Sequence, residues 1–181
     1  MNRFIETTRF GKVEISTDHI IRFRDGMIGF HTLKDYVIVE SSSLPILLWL
    51  QSVDAPEVAF PVMEPWFFKR DYATNTTEAD KLSINLEASN KTKTFVVLTI
   101  PSEMMRMTVN LKAPIIVNLD KALATQVILQ DKALVVRMPA FEDFNKAVSQ
   151  VQSQFKVTDT VTDNWSPVTV RSREVSAGGV G

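Results

Sequence analysis

His19 and His31 are the only imidazoles in the chain. A pair of histidines can share a metal ion, but neither sits in an HExxH or comparable ligand spacing, so each reads as a surface or turn residue. Asp54, Glu57 and Glu64 gather around a proline-bearing stretch. General acid–base work needs two carboxyls at a set separation, with burial raising one pKa, whereas acids in a loop are ordinarily solvated. Cysteine is absent, which removes thiol nucleophiles, disulfides and Cys-ligated zinc. No glycine occurs between Phe30 and Ala177, so no GxGxxG or GxxxxGK loop can bring its backbone close to a phosphate. No catalytic residue, metal site or cofactor is expected, and the chain does not read as an enzyme.

Binding chemistry has more to work with. Trp66-Phe67-Phe68 places three aromatic rings in a row, followed by Lys69-Arg70. Three adjacent rings on a short turn cannot all point inward, so the segment reads either as core or rim packing or as a partner-contact surface. Aromatic rings beside cations also suit stacking on single-stranded nucleic acid, but that mode needs a basic groove. The chain has 20 Lys plus Arg against 21 Asp plus Glu, for a net charge of −1. A nucleic-acid-binding small barrel is therefore the alternative reading, to be tested by a direct RNA shift, and protein binding is the leading one. The N-terminus lacks the basic-then-apolar build of a signal peptide. The longest apolar run, near Pro45–Leu50, is far short of the roughly 20 residues that span a bilayer. A soluble protein of the cytoplasm is expected.

The elements that must carry these residues are short strands. Val13 and Ile15 alternate with Lys12 and Glu14; Ile20, Ile21 and Phe23 follow. Tyr36–Val39 and Ile46–Leu50 are continuously apolar and read as buried strands. Ala59–Met63 contains Pro61, which suggests an edge or a bulge. Leu82, Ile84 and Leu86 alternate with polar residues as in a half-buried strand. Phe95–Ile100, Met107–Leu111, Ile115–Val117, Val127–Leu129 and Leu134–Val136 complete the series. Pro65–Tyr72 and Thr77–Lys81 suit helical turns. Gly26 and Gly29 fall where a chain reversal needs positive φ, and Gly29→Val is expected to destabilise the fold rather than to weaken binding selectively. Trp49, Leu50 and Phe60 read as core. The fold class is mainly β: a small antiparallel β-barrel-like domain, or a sandwich, with short helical turns and an appended C-terminal amphipathic helix.

The barrel domain spans 1–139, the helix 140–156 and a tail, expected to be flexible, 157–181. Phe141, Phe144, Val148, Val151 and Phe155 form one apolar stripe, and Glu142 and Asp143 fall in the first turn, where acids complement the helix dipole. The stripe has three readings. It packs on its own barrel, it mediates self-association, or it occupies a partner groove as an internal mimic of a partner helix.

Several motifs stand in a telling order: Arg9-Phe10-Gly11-Lys12-Val13-Glu14-Ile15, then Ile21–Phe30 with its Gly26-Met27-Ile28-Gly29-Phe30 turn. Next come Leu50-Gln51-Ser52-Val53-Asp54-Ala55-Pro56-Glu57-Val58-Ala59-Phe60 and Thr108–Asn118 with Asn110-Leu111-Lys112-Ala113-Pro114-Ile115, followed by Gln126–Leu129. From about Phe10 to Arg137 this order resembles the flagellar assembly factor FliW family. The segment after Pro139 is a departure from the family's pattern.

The resemblance implies a non-enzymatic partner switch in the cytoplasm. Members of that family bind flagellin, and they bind CsrA, a small RNA-binding dimer that represses translation of the flagellin message. The two partners compete, so free protein captures CsrA and restores flagellin synthesis. Neither direct nucleic-acid nor membrane contact is implied. An amphipathic helix of flagellin would dock on an apolar patch of the barrel. The residues expected at a partner-facing rim are Gln51, Ser52, Asp54, Glu57, Trp66, Phe67, Asn110 and Pro114. Their alternative role is hydrogen bonding within loops and strand ends, or packing for the aromatic pair.

Overall fold

A computed structural model describes residues 1–41, 44–154 and 168–170. The strands are β1 (Asn2–Thr7), β2 (Gly11–Ser16), β3 (Ile21–Phe23), β4 (Asp35–Ser41), β5 (Leu48–Ser52) and β6 (Ala59–Met63). After helix α1 (Glu78–Ser83) come β7 (Thr92–Thr99), β8 (Thr108–Val109), β9 (Ile115–Asn118), β10 (Leu123–Gln126) and β11 (Met138–Pro139). Helix α2 (Phe141–Gln154) and β12 (Val168–Val170) follow.

Seven strands close into a barrel in the order β7-β6-β5-β4-β3-β10-β9 and back to β7. Its neighbours are antiparallel except at one seam, where β3 and β10 run parallel with Arg22 opposite Leu123. Period-2 alternation assigns the side chains. Ile21, Phe23, Tyr36, Ile38, Leu48, Leu50, Val62, Phe95, Ile115 and Val117 fill the interior. The opposite faces are covered from outside. The β1–β2 hairpin lays Ile5, Val13 and Ile15 on Val37 and Val39. Trp49 is partly buried beneath the same hairpin, with Phe10 edge-on to its ring at 6.2 Å and the Arg9 guanidinium 3.7 Å above it. On the other flank Met63, Val96, Leu98 and Ile116 meet Ile84, Met107, Leu111, Leu129, Phe144 and Ala147.

Two strands divide one of their edges. β4 pairs with β5 along one edge. On the other it takes β3 at Asp35–Tyr36 and then β12, in parallel, at Val39–Ser41. β7 takes β9 at Thr92–Phe95 and then β8 at Leu98–Thr99.

Several segments differ from the sequence expectation. β1 was not expected; its pattern buries Ile5 and Thr7 alone. The Leu82–Leu86 alternation is not a strand. Thr77 caps α1 through a reciprocal box, Asp80 N–H to Thr77 Oγ1 at 3.1 Å and Thr77 N–H to the Asp80 carboxylate at 2.8 Å. Leu82 consequently points to solvent, 72% exposed, while Ile84 is buried just past the helix. Pro61 lies on an internal strand, not an edge, but the β6–β7 ladder starts only at Val62, so its missing N–H forfeits no pairing with β7.

Val127 and Leu129 are buried and donate to the Pro114 and Lys112 carbonyls at 3.0 and 2.9 Å. They are not in a strand, because Pro114 has no N–H to return and regular pairing stops at Gln126. Leu134–Val136 is likewise irregular, and the strand in this region is β11 instead. Of the 157–181 tail, Val168–Val170 is strand β12; the rest lies outside the described residues, as does Phe155.

Candidate functional site

The residues expected at one rim occupy three separate places. Gln51 and Ser52 end β5 and are both fully buried. The Gln51 amide nitrogen lies 3.0–3.4 Å from the carbonyls of Ser52, Ala55, Pro56 and Val58, so it gathers the 53–57 loop around itself. Its Oε1 has no partner among the described residues. Ser52 Oγ accepts from the Asp54 and Ala55 N–H groups at 3.3 and 3.1 Å, which is the local side-chain capping expected of a turn serine. Neither side chain reaches the surface, and both shape the loop. Asp54, Pro56 and Glu57 are the exposed members of that loop. The Pro56 carbonyl accepts from Thr8 N–H at 2.9 Å and ties the loop to the β1–β2 hairpin.

Asn110 and Pro114 flank a second turn. Asn110 Oδ1 accepts from Lys112 and Ala113 N–H at 3.0 and 3.1 Å. Pro114 is buried, so it too is removed from a rim. Tyr72 reaches this turn and donates its hydroxyl to the Leu111 carbonyl at 2.7 Å; burial pushes that phenol's pKa up. Gln126 joins in, donating to the Ala113 carbonyl at 3.2 Å and accepting from Ile28 N–H at 3.0 Å.

Trp66 and Phe67 form the third place. They complete the single helical turn Pro65–Phe67, which proline at its first position pre-orients. This turn and the Asp54–Glu57 loop sit at opposite ends of β6, about 17 Å apart along a strand that rises ~3.3 Å per residue. Phe67 and Phe68 pack on the barrel flank, while Trp66 stays 48% exposed. Helix α2 runs alongside. Its Ala140, Phe144 and Ala147 are buried in the flank core with Phe141 and Val148 partly buried. Ala140, Phe144 and Ala147 are thus taken up by the barrel's own flank.

Between the turn and the helix lies a cleft of about 490 Å³ walled by Trp66, Phe67, Phe68 and Ala147, with Arg70, Asp143, Lys146 and Gln150 around it. Asp143 and Lys146 are 3.7 Å apart, and nearby Lys69 is held by Asp71 at 2.7 Å. The cleft is aromatic-walled, and Asp143 offsets one of its two lining cations, Arg70 and Lys146, so it is not a basic track. Below it, Glu64 and Lys93 pair at 3.2 Å; burial raises the Glu64 pKa, with Lys93 opposing. Reasoning from sequence placed Trp66-Phe67-Phe68 and Arg70 together but missed the helix side of this cleft. The signal was there in the spacing of Asp143, Lys146, Ala147 and Gln150, one helical face beside the apolar stripe.

Among the described residues no group of three or more His, Asp or Glu side chains is placed to hold a metal ion, and no helix is long and apolar enough to cross a membrane.

Comparison with known proteins bears on what such a barrel serves. The family model described as FliW protein matches residues 3–140. The chain belongs to the FliW family. The flagellar assembly factor FliW of Bdellovibrio bacteriovorus is 39% identical over 146 residues, covering 81% of this chain and 83% of the relative. That of Caldanaerobacter subterraneus is 35% identical over 147 residues, covering 80% of this chain and 97% of the relative. A crystal structure of the flagellar assembly factor FliW superposes with a TM-score of 0.72 at 28% identity, covering 77% of this chain and 97% of that one. The FliW match takes in the barrel, the β1–β2 hairpin from residue 3 onward, and α1. It stops at residue 140, just before α2, so the whole of that helix and β12 lie beyond it.

Proposed function

We propose that this protein is a cytoplasmic flagellar assembly factor that works by partner switching, binding flagellin and the translational repressor CsrA in competition and so relieving repression of flagellin synthesis. The observation that carries the reading is the FliW-family match across the whole barrel. The Trp66 cleft supplies a surface of the right kind. An amphipathic helix buries an apolar stripe and leaves polar flanks. Trp66, Phe67 and Phe68 offer the apolar wall, and Arg70, Lys146, Asp143 and Gln150 offer the polar margin. Trp66 and Phe67 are the proposed partner contacts there, with Asp54 and Glu57 forming a second, polar contact on the β5–β6 loop. Gln51, Ser52, Asn110 and Pro114 shape the loops that present the exposed residues.

Two partners that displace one another at cellular concentrations need comparable affinities; a tenfold preference corresponds to only about 1.4 kcal/mol. Calorimetric titration of the protein with flagellin and with CsrA, each repeated with the other partner present, tests the switch. Binding to both with mutual weakening is expected. Folded protein that binds neither refutes the reading.

A further inference from the structure

The barrel closes through β3, and β3 covers only the Asp35–Tyr36 end of β4's outer edge. Val39–Ser41 continues that edge beyond β3. An uncovered strand edge presents a row of backbone donors and acceptors, a ready template for another strand. In this chain the place is filled by β12, with Val168 opposite Val39, Thr169 opposite Glu40 and Val170 opposite Ser41. The filler lies outside the part of the chain that the family model matches. The family model ends at residue 140, all seven barrel strands precede residue 127, and none pairs with β12 except β4.

We propose that the β4 edge at Val39–Ser41 is a strand-acceptor site for an extended, β-branched peptide segment, which Val168–Val170 fills in cis and a segment of the same chemistry from a partner fills in its place. The register sets the selectivity. Val, Thr and Val are strand-favouring residues with no charge. Glu40 stands opposite the middle position, so a competing segment must run parallel to β4 and carry no acid there, because like charges directly across a ladder are unfavourable. Tethering matters as much as fit. A three-residue ladder is short, and a segment on the same chain acts at an effective concentration of roughly millimolar, so a free segment of equal intrinsic affinity competes poorly until β12 is displaced. This inference does not depend on flagellin or CsrA being the partner.

The test uses a fluorescein-labelled synthetic peptide of residues 165–173 and the full-length protein carrying Thr169→Pro and Val170→Pro. Adjacent strand residues point their N–H groups to opposite sides, so one of the two prolines removes a ladder donor. The peptide is expected to bind this variant saturably and the unaltered chain at least tenfold more weakly, by fluorescence polarisation. The same peptide with Thr169→Glu is expected to lose at least tenfold in affinity for the variant. Amide exchange at Val39–Ser41 should be faster in the variant and slow again with peptide. Absent peptide binding to a variant that melts like the unaltered protein, or equal affinity for both proteins, overturns the proposal. If the double-proline chain fails to fold, a chain ending at residue 156 is put through the same titration with the same two outcomes.

Discussion

Gly26 and Gly29 are both held at positive φ, +75° and +85°, in the turn after β3, yet alanine at the two positions should cost quite different amounts. A non-glycine residue in the left-handed region costs about 1–2 kcal/mol. Removing glycine's freedom from the unfolded chain offsets about 0.4–1 kcal/mol of that. A Cβ on Gly29 meets nothing within 4 Å, so Gly29→Ala should lose about 1 kcal/mol. A Cβ on Gly26 would lie 2.6 Å from the Phe30 carbonyl oxygen and 2.8 Å from the His31 Cα, both backbone atoms. No side chain can rotate away to relieve that overlap. The turn must open instead, which strains the Phe30 N–H to Met27 carbonyl bond at 2.8 Å and shifts Met27, a buried barrel residue. Overpacking of this kind adds about 1–3 kcal/mol. For a chain of this size each kcal/mol moves Tm by about 2–4 °C. Calorimetric scans should therefore show Gly29→Ala melting about 2–4 °C below the unaltered protein and Gly26→Ala, at about 2–4 kcal/mol in all, about 4–16 °C below. Equal losses for the two variants would refute the reasoning, because they would mean that the close approach at Gly26 costs nothing.

Trp66→Ala should shift Tm by no more than about 2 °C yet weaken partner binding at least tenfold, about 1.4 kcal/mol, since the ring is half exposed and walls the cleft; calorimetry with flagellin reads both parts. Phe144→Ala removes a buried anchor of α2 and should cost about 3–5 kcal/mol in a denaturant titration. Asn118 donates its amide to the Ile84 and Asn85 carbonyls and to Asn90 Oδ1, so Asn118→Ala should lose about 2–3 kcal/mol by the same assay. Burial raises the Glu40 pKa. A carboxyl raised on folding contributes stability that is fully present below its unfolded pKa and is lost as pH rises through the folded value. Glu40→Gln should accordingly raise Tm at pH 7 and leave it nearly unchanged at pH 4; the same increment at both pH values would contradict this.

What the sequence reveals here follows from how far each signal reaches along the chain. Strands with long apolar runs, such as Tyr36–Val39 and Leu48–Leu50, are legible because burial on both faces leaves no other reading. The Leu82–Leu86 alternation misleads because three residues fit period 2 by chance, while Thr77 and Asp80 encode the helix from outside that window. Val127–Leu129 keeps the in–out alternation of a strand but lies against Pro114, so side-chain pattern and backbone pairing part company. For Gln51 and Ser52 the sequence leaves a partner-facing rim and local hydrogen bonding at a strand end both open, because polar residues there serve either role. Their burial depends on a loop folding back over them, and nothing within five residues of sequence states that. The cleft is the least legible feature. Its two walls stand some eighty residues apart, Trp66 to Lys146, and only the docking of α2 makes them one surface.

The parallel seam between β3 and β10 also has a consequence on the ribosome. Arg22 finds its ladder partner only when Leu123 has been made, a wait of roughly 5–20 s at about 5–20 residues per second. Throughout that interval the hairpins can form, but the ring cannot shut, and β3 travels with a bare flank in a crowded cell. Closure is thus timed by translation as well as by folding. A pause placed before codon 123 would lengthen the vulnerable period, and aggregation of nascent chains should rise with it.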